Sequence, residues 1–252
     1  MNDSKLENII RLVNDILSVK SKMFSMISTT WNPIVGCRHL CKYCYARKYA
    51  RTRLRNHPLY RNFTTGAKFN KREFERVFKP AEFVFVCDMG DLFGNWVPSS
   101  WIRAVIYRTK KFPQTHFLFL TKNPSRYFEF LDDFGQNAYL GATIETNRDE
   151  VAKLYSRAPP PSLRFHVMRD LNWEKKFLSI EPILDFDLSI FAHWIEEIDP
   201  LIVYIGYDNH RNYLMEPKQS KTEALISKIN NSRLVIRKTI RKAWTEEKLY
   251  VS

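Results

Sequence analysis

Short runs of β-branched and aromatic residues punctuate the chain from residue 82 onward. Glu82-Phe-Val-Phe-Val-Cys87, His116-Phe-Leu-Phe-Leu-Thr121, Ala138-Tyr-Leu-Gly-Ala-Thr-Ile144, Lys176-Phe-Leu-Ser-Ile180 and Leu201-Ile-Val-Tyr-Ile205 are continuously apolar rather than alternating. That is the pattern of strands covered on both faces, as in a parallel sheet. Met26-Ile-Ser-Thr-Thr-Trp31 reads as an earlier strand running into the turn signal Asn32-Pro33, and Arg233-Leu-Val-Ile-Arg237 as a last one. Residues 101–111, 125–131, 148–156 and 221–229 carry helical spacing, and Ser99 or Ser100 can cap the first of these helices. Residues 45–56 form a basic helix stopped by Pro58, and residues 6–23 an amphipathic one. Residues 164–168, after Pro159-Pro-Pro161, fit either strand or helix.

Apolar runs alternating with helices indicate βα units. Their number suits an α/β fold of the partial, open TIM-like (βα)6 type, with an extra N-terminal helix and a basic C-terminal extension. A doubly wound dinucleotide fold is less consistent, because no G-x-G-x-x-G turn follows the first strand. The expected organisation is a helix packed on the barrel over residues 1–25, the barrel over 26–217, and a basic helix and strand over 218–252 that complete its edge. Chemistry in such folds sits at the C-terminal ends of the strands. Here those ends are polar: the cysteine-rich loop, Asp88 and Asp91, Lys122, Thr143 and Glu145, Ser179 and Glu181, Asp208 and His210.

Charge changes this picture. The 252-residue chain carries a formal net charge of +13, which predicts attraction to polyanions and says little about fold. The excess is uneven. Residues 38–79 hold 13 Lys and Arg against 2 Asp and Glu, and residues 218–248 hold 9 against 3, whereas residues 80–217 are mildly acidic. Arg47, Arg51 and Arg55 recur at i, i+4, i+8 on the expected helix, with Lys48 and Arg53 beside them. Tyr45, Tyr49, Tyr60 and Phe63 are interleaved, a combination suited to holding single-stranded nucleic acid by phosphate contact and base stacking. A solvated basic face with inward-packed aromatics is the plainer reading, and the same face can recruit an acidic electron donor such as flavodoxin or ferredoxin. No signal-peptide pattern and no apolar run of membrane-spanning length are present, so a cytoplasmic protein without membrane contact is expected.

Three of the four cysteines fall within eight residues, as Cys37-x3-Cys41-x2-Cys44. This is no disulfide framework for a chain of this size; it indicates a reduced metal site. Three thiolates leaving one side bare suit a 4Fe–4S cluster held at three corners, while a structural zinc would want four protein ligands. His39 stands between the first two cysteines, and Cys87, at the end of a strand, reads as a small buried hydrophobe.

With Tyr43 before the third cysteine and Tyr45 after it, this loop resembles the signature of radical S-adenosylmethionine (radical SAM) enzymes, in the C-x3-C-x-Tyr-Cys-Tyr form of spore photoproduct lyase. Trp31-Asn-Pro, Asp91-Leu-Phe93, Leu120-Thr-Lys122, Leu140-Gly and Phe177-Leu-Ser-Ile-Glu-Pro-Ile183 resemble, in order, a phage- and prokaryote-encoded subgroup of that superfamily. The resemblance implies that Cys37, Cys41 and Cys44 hold the 4Fe–4S cluster and that SAM chelates its open iron. Reductive cleavage of SAM would then give a 5′-deoxyadenosyl radical. It further implies cofactor contacts from Tyr43, from Met89-Gly90-Asp91 to the methionine amino group, and from Thr143 and Glu145 to ribose or carboxylate. Ser179 and Glu181 would reach SAM or substrate, and Gly206 would admit adenine. The Met89-Gly90-Asp91 turn departs from the superfamily's glycine-rich, glutamate-ended stretch. The expected function is a radical SAM enzyme that modifies or repairs a nucleic-acid or nucleotide-derived substrate. A small-molecule or peptide substrate, and a non-enzymatic nucleic-acid binder with a structural cluster or zinc, are the alternatives.

Overall fold

The structure, a computed structural model, describes residues 26–229 and 233–247. The helix expected over residues 6–23 lies outside the described residues. Seven strands form one sheet: β1 (Thr29–Trp31), β4 (Phe83–Val86), β5 (His116–Thr121), β6 (Ala138–Thr143), β7 (Lys176–Ile180), β8 (Ile202–Ile205) and β9 (Leu234–Arg237), in that spatial order. The pairs β1–β4, β4–β5, β7–β8 and β8–β9 are parallel, with Thr29 opposite Val84, Phe83 opposite His116, Phe177 opposite Ile202 and Ile202 opposite Leu234. β1 and β9 end the order without pairing to each other, so the fold is an open, partial TIM-like α/β architecture. β9 is the last strand expected at residues 233–237, and it forms one edge of the sheet.

The continuous apolar runs behave as expected. Every residue of β4, β6, β7 and β8 is buried, whereas edge strand β9 is only half-buried. A second, small sheet pairs β2 (Ile34–Val35) antiparallel with β3 (Lys68–Phe69), in a stretch too short to show periodicity.

The helices differ more from expectation. α1 spans Tyr45–Arg51 and does not reach residue 56. The Thr52 hydroxyl donates to the Lys48 carbonyl at 2.8 Å, and Leu54 N–H returns to the Tyr49 carbonyl, so the chain leaves the helix in a series of turns. After the four-residue α2 (Lys71–Phe74), α3 (Ser99–Lys110) begins on Pro98, and Ser99 and Ser100 lie inside its first turn rather than capping it. Residues 124–129 form a 3₁₀ helix, and α4 covers only Asp149–Lys153.

The undecided stretch at 164–168 is part of helix α5 (Pro161–Asp170). Pro161 sits in its first turn, where the missing N–H costs nothing. α6 (Leu188–Ile198), which the sequence reading passed over, buries Phe191, Ala192, Ile195 and Ile198 and stops at Asp199 in the left-handed region (φ 48°). α7 (Gln219–Ile229) and the short α8 (Trp244–Glu247) complete the described chain.

The chain divides into two compact units, residues 26–40 with 44–141, and residues 41–43 with 142 onward. The first has an aromatic core in which Trp31 meets Phe78 edge-on at 5.1 Å and Phe93 meets Tyr127 at 4.6 Å. In the second, Phe165 of α5 stacks on Trp194 of α6 at 4.4 Å.

Candidate functional site

The cysteine loop starts where β2 ends. Gly36 (φ 104°) turns the chain, and a Cβ there would lie 2.2 Å from the Gly66 carbonyl oxygen, so only glycine fits. Its N–H donates to the Met89 carbonyl and the Cys37 N–H to the Phe63 carbonyl, which ties the loop entrance to the turn after β4. Cys44 precedes α1, and its sulfur accepts the Arg47 N–H at 3.3 Å. None of the four cysteines is in a disulfide; Cys41 and Cys87 are buried, and Cys37 and Cys44 are half-buried. Burial raises the Cys87 thiol well above its ordinary pKa, so it stays a neutral core side chain. Among the described residues no group of three or more His, Cys, Asp and Glu side chains is gathered tightly enough to hold a metal ion. A cubane separates its thiolates further than the coordination sphere of one ion does, so this says nothing against a cluster.

In the first unit the carboxylate of Asp91 is engaged by four donors. It accepts from His39 Nε2 (2.9 Å), Thr121 Oγ1 (2.6 Å), Lys122 N–H (3.0 Å) and Phe93 N–H (3.1 Å). Burial alone would push its pKa up; the hydrogen bond and charge of His39, with Thr121 and the Lys122 N–H, outweigh that and hold it below the usual carboxylate value. His39 is thereby a latch between the cysteine loop and the β4 turn, a role its position between two cysteines does not reveal. Asp88 accepts from Asn32 (2.6 Å) and from Tyr45, and burial raises its pKa.

The low Asp91 pKa has a testable consequence. A carboxyl depressed below its unfolded value near 4 contributes stability that is fully present above that value and is lost as pH falls through the folded one. Urea unfolding midpoints measured between about pH 2 and 5 should fall with acid in the parent and fall less steeply in Asp91→Asn. Equal slopes would show that Asp91 is not the titrating group.

In the second unit, the Glu145 carboxylate beyond β6 accepts the Tyr43 hydroxyl on one oxygen and Arg164 Nη1 on the other (2.7 Å). The same Nη1 donates to the Thr143 carbonyl. Glu145 and Arg164 are each about 1% exposed, a fully buried ion pair. Burial, followed by the neighbouring Glu145 charge, raises the Tyr43 pKa well above its ordinary value, so it donates as a neutral phenol. Arg164 was invisible as a site residue because its stretch could not be assigned; its signal is an arginine on an otherwise buried helix face.

Ser179 is buried within β7, and Glu181 follows that strand, salt-bridged to Lys238 at 2.6 Å. Burial raises the Glu181 pKa, offset in part by Lys238. A Cβ on Gly206 would meet Lys238 Cβ at 3.1 Å. Asp208 accepts from His210 N–H, Asn212 N–H and Asn212 Nδ2, and so shapes the loop after β8.

The basic block at residues 38–79 remains largely exposed, at Arg38, Lys48, Arg51, Arg53, Arg55 and Arg61. Two expectations about it need correction. Arg55 lies beyond the end of α1, so Arg47, Arg51 and Arg55 do not line one helical face. Arg47 is half-buried and donates to the Leu40 carbonyl. The aromatics are also mostly spent on packing: Phe63 is buried with Ala46, Ala50 and Met89, and Tyr45 donates to Asp88. Tyr49 is the exposed one, with the Arg53 guanidinium over its ring at 4.9 Å. The C-terminal basic residues are instead paired within their unit: Lys221 with Asp185, Arg237 with Glu223, Lys238 with Glu181 and Arg241 with Glu216.

No helix among the described residues is long and apolar enough to cross a membrane. A search of curated proteins finds no match. Among solved structures, a spore photoproduct lyase cysteine-to-alanine variant with dinucleoside spore photoproduct is similar at a TM-score of 0.54 and 12% identity, covering 81% of this chain and 61% of that one. A double variant of the lyase with bound AdoMet and dinucleoside spore photoproduct gives 0.52 and 14%, covering 81% and 61%. A cysteine-to-serine variant gives 0.52 and 14%, covering 85% and 64%. At these identities the likeness is one of fold, and this chain spans 61–64% of the length of those lyase chains. In sequence, residues 22–203 match the family described as "Protein of unknown function (DUF5131)", and with most of its length inside that match the chain belongs to this family.

Proposed function

We propose that this protein is a radical SAM enzyme acting on a nucleic-acid or nucleotide-derived substrate. The observation that carries the proposal is the C-x3-C-x2-C loop following the first strand of an open parallel barrel whose fold resembles spore photoproduct lyase. The donor set fits the cofactor: three soft thiols outside any disulfide with no fourth protein ligand assigned, which is what a site-differentiated 4Fe–4S cluster requires. Cys37, Cys41 and Cys44 would hold it. When bound with SAM, such a cluster supplies the reducing electron that cleaves SAM to methionine and a 5′-deoxyadenosyl radical. Four cysteines outside any disulfide also support a reducing compartment, the cytoplasm.

The chain's own residues bind and orient. The Glu145 carboxylate, paired with Arg164 and accepting the Tyr43 hydroxyl, would accept from ribose hydroxyls, with Thr143 beside it. Ser179, Glu181 and Gly206 follow on β7 and β8 for SAM or substrate. In the first unit Asp91 is engaged by four donors, so the Met89-Gly90 backbone, rather than the Asp91 side chain, is the better partner for the methionine amino group. Anaerobic reconstitution with iron and sulfide, followed by SAM and dithionite, should yield 5′-deoxyadenosine. Stoichiometric zinc without iron–sulfur absorption would defeat the proposal.

The nucleic-acid part rests on the exposed Lys48, Arg51, Arg53 and Arg55 near Tyr49 in the chain, and on fold neighbours with dinucleoside spore photoproduct. Affinity for single-stranded DNA or RNA should fall as salt rises, and each phosphate contact removed by Arg51→Ala or Arg53→Ala should reduce the log–log slope by about 0.7. No binding at low salt would leave this face to an acidic electron donor such as flavodoxin or ferredoxin, detectable by the same titration with that donor.

A further inference from the structure

Within the second unit, the Cys41 sulfur lies 3.1 Å from the Ser156 hydroxyl oxygen. That oxygen also accepts the Ala158 N–H at 3.1 Å, so one of its lone pairs is committed and its proton is directed elsewhere. A thiolate can only accept. The contact is built rather than incidental. Lys42 N–H donates to the Tyr155 carbonyl at 2.8 Å, the Lys42 ammonium lies over the Tyr155 ring at 5.4 Å, and Ser156 N–H returns to the Ala152 carbonyl. Tyr43 and Tyr155 pack on one cluster of Val151, Leu184 and Leu214. Residues 41–43 are therefore seated on the end of α4 with Ser156 fixed against Cys41, which is 6% exposed.

We infer that Ser156 is a positioning residue that sets the reduction potential of the iron–sulfur centre by donating a hydrogen bond to the Cys41 sulfur. This rests on the radical SAM reading. Hydrogen bonds to ligand sulfurs withdraw electron density from them, stabilise the more negative reduced state and raise the potential. One electron passes from a low-potential donor (dithionite in the experiment) to the cluster; no covalent bond changes, and the proton stays on Ser156. The serine sits some 115 residues from its cysteine in sequence, so spacing alone does not expose it.

The test is a reductive titration of the reconstituted cluster in the whole protein, followed by electron paramagnetic resonance. Ser156→Ala should move the midpoint to a more negative potential, and Ser156→Thr, which keeps the hydroxyl, should restore it. Resonance Raman of the parent in D2O should shift an Fe–S stretching band, and this shift should shrink in Ser156→Ala to the part that the Arg47 N–H on the Cys44 sulfur supplies. An unchanged midpoint in Ser156→Ala overturns the inference while leaving the radical SAM reading intact. Failure of the parent to take up a cluster overturns both. Should Ser156→Ala not hold a cluster, Ser156→Gly takes its place: a more negative midpoint supports the hydrogen bond and an unchanged one rejects it.

Discussion

Cys41→Ala is expected to abolish both the iron–sulfur absorption and 5′-deoxyadenosine formation while leaving the fold in place. The reason is stoichiometric. In the proposed assignment Cys37, Cys41 and Cys44 hold three corners, and neither neighbour can take over, since His39 is turned to Asp91 and Cys87 is a buried, neutral thiol. Loss of one thiolate would remove a third of that grip and expose a second iron. Stability should change little: alanine is smaller than cysteine, Lys42 N–H still bonds the Tyr155 carbonyl, and truncation of one small buried side chain costs about 1 kcal/mol. Circular dichroism and urea unfolding would register the retained fold, and iron content with product analysis the lost chemistry. Deoxyadenosine production surviving in Cys41→Ala would rule out the ligand assignment.

Arg164→Leu should be the most destabilising single change in the second unit. The guanidinium serves both Glu145 and the Thr143 carbonyl, and neither charged partner is more than about 1% exposed. Removing one member strands the other as a buried charge, at a cost of roughly 3–5 kcal/mol. For a protein of this size the melting temperature should drop on the order of 10 °C. Replacing both members, Glu145→Leu with Arg164→Leu, should recover much of that loss, because two apolar side chains leave no unpaired charge. Tyr43→Phe removes only one hydrogen bond from the same carboxylate and should cost about 1 kcal/mol. A single variant Arg164→Leu as stable as the parent would mean that Glu145 is already neutral or solvated, and its proposed role toward ribose would fall with it.

Both expectations concern groups that local patterns treat unequally. The three cysteines lie in one short stretch, so their spacing already says what they can hold. Arg164 and Glu145 stand 19 residues apart on different elements, His39 and Asp91 stand 52 apart, and no local pattern joins them. Helix ends show the same division. Residues 45–56 read as one basic helix because composition and charge spacing are local. Where α1 stops was decided by Thr52 bonding back to Lys48 and by the turns that carry Phe63 into the core. The basic blocks also looked alike as composition. Only the folded chain shows that the C-terminal one is paired with Asp185, Glu223, Glu181 and Glu216, while the one near the cysteines stays exposed.

By itself, then, the sequence determined the α/β class, the positions of the strands and the cysteine loop that follows the first of them. Each of these is written in a local signal: a run of apolar residues long enough for a doubly covered strand, or three thiols at fixed spacing. The tertiary structure alone decided the order of the strands in the sheet, the helical state of Pro161–Asp170, the latch of His39 on Asp91, the buried pair of Glu145 and Arg164, and the seat of Cys41 against Ser156. These depend on which distant side chains meet once the apolar runs are buried, and burial is what turns an ordinary carboxylate or hydroxyl into one that must find a partner.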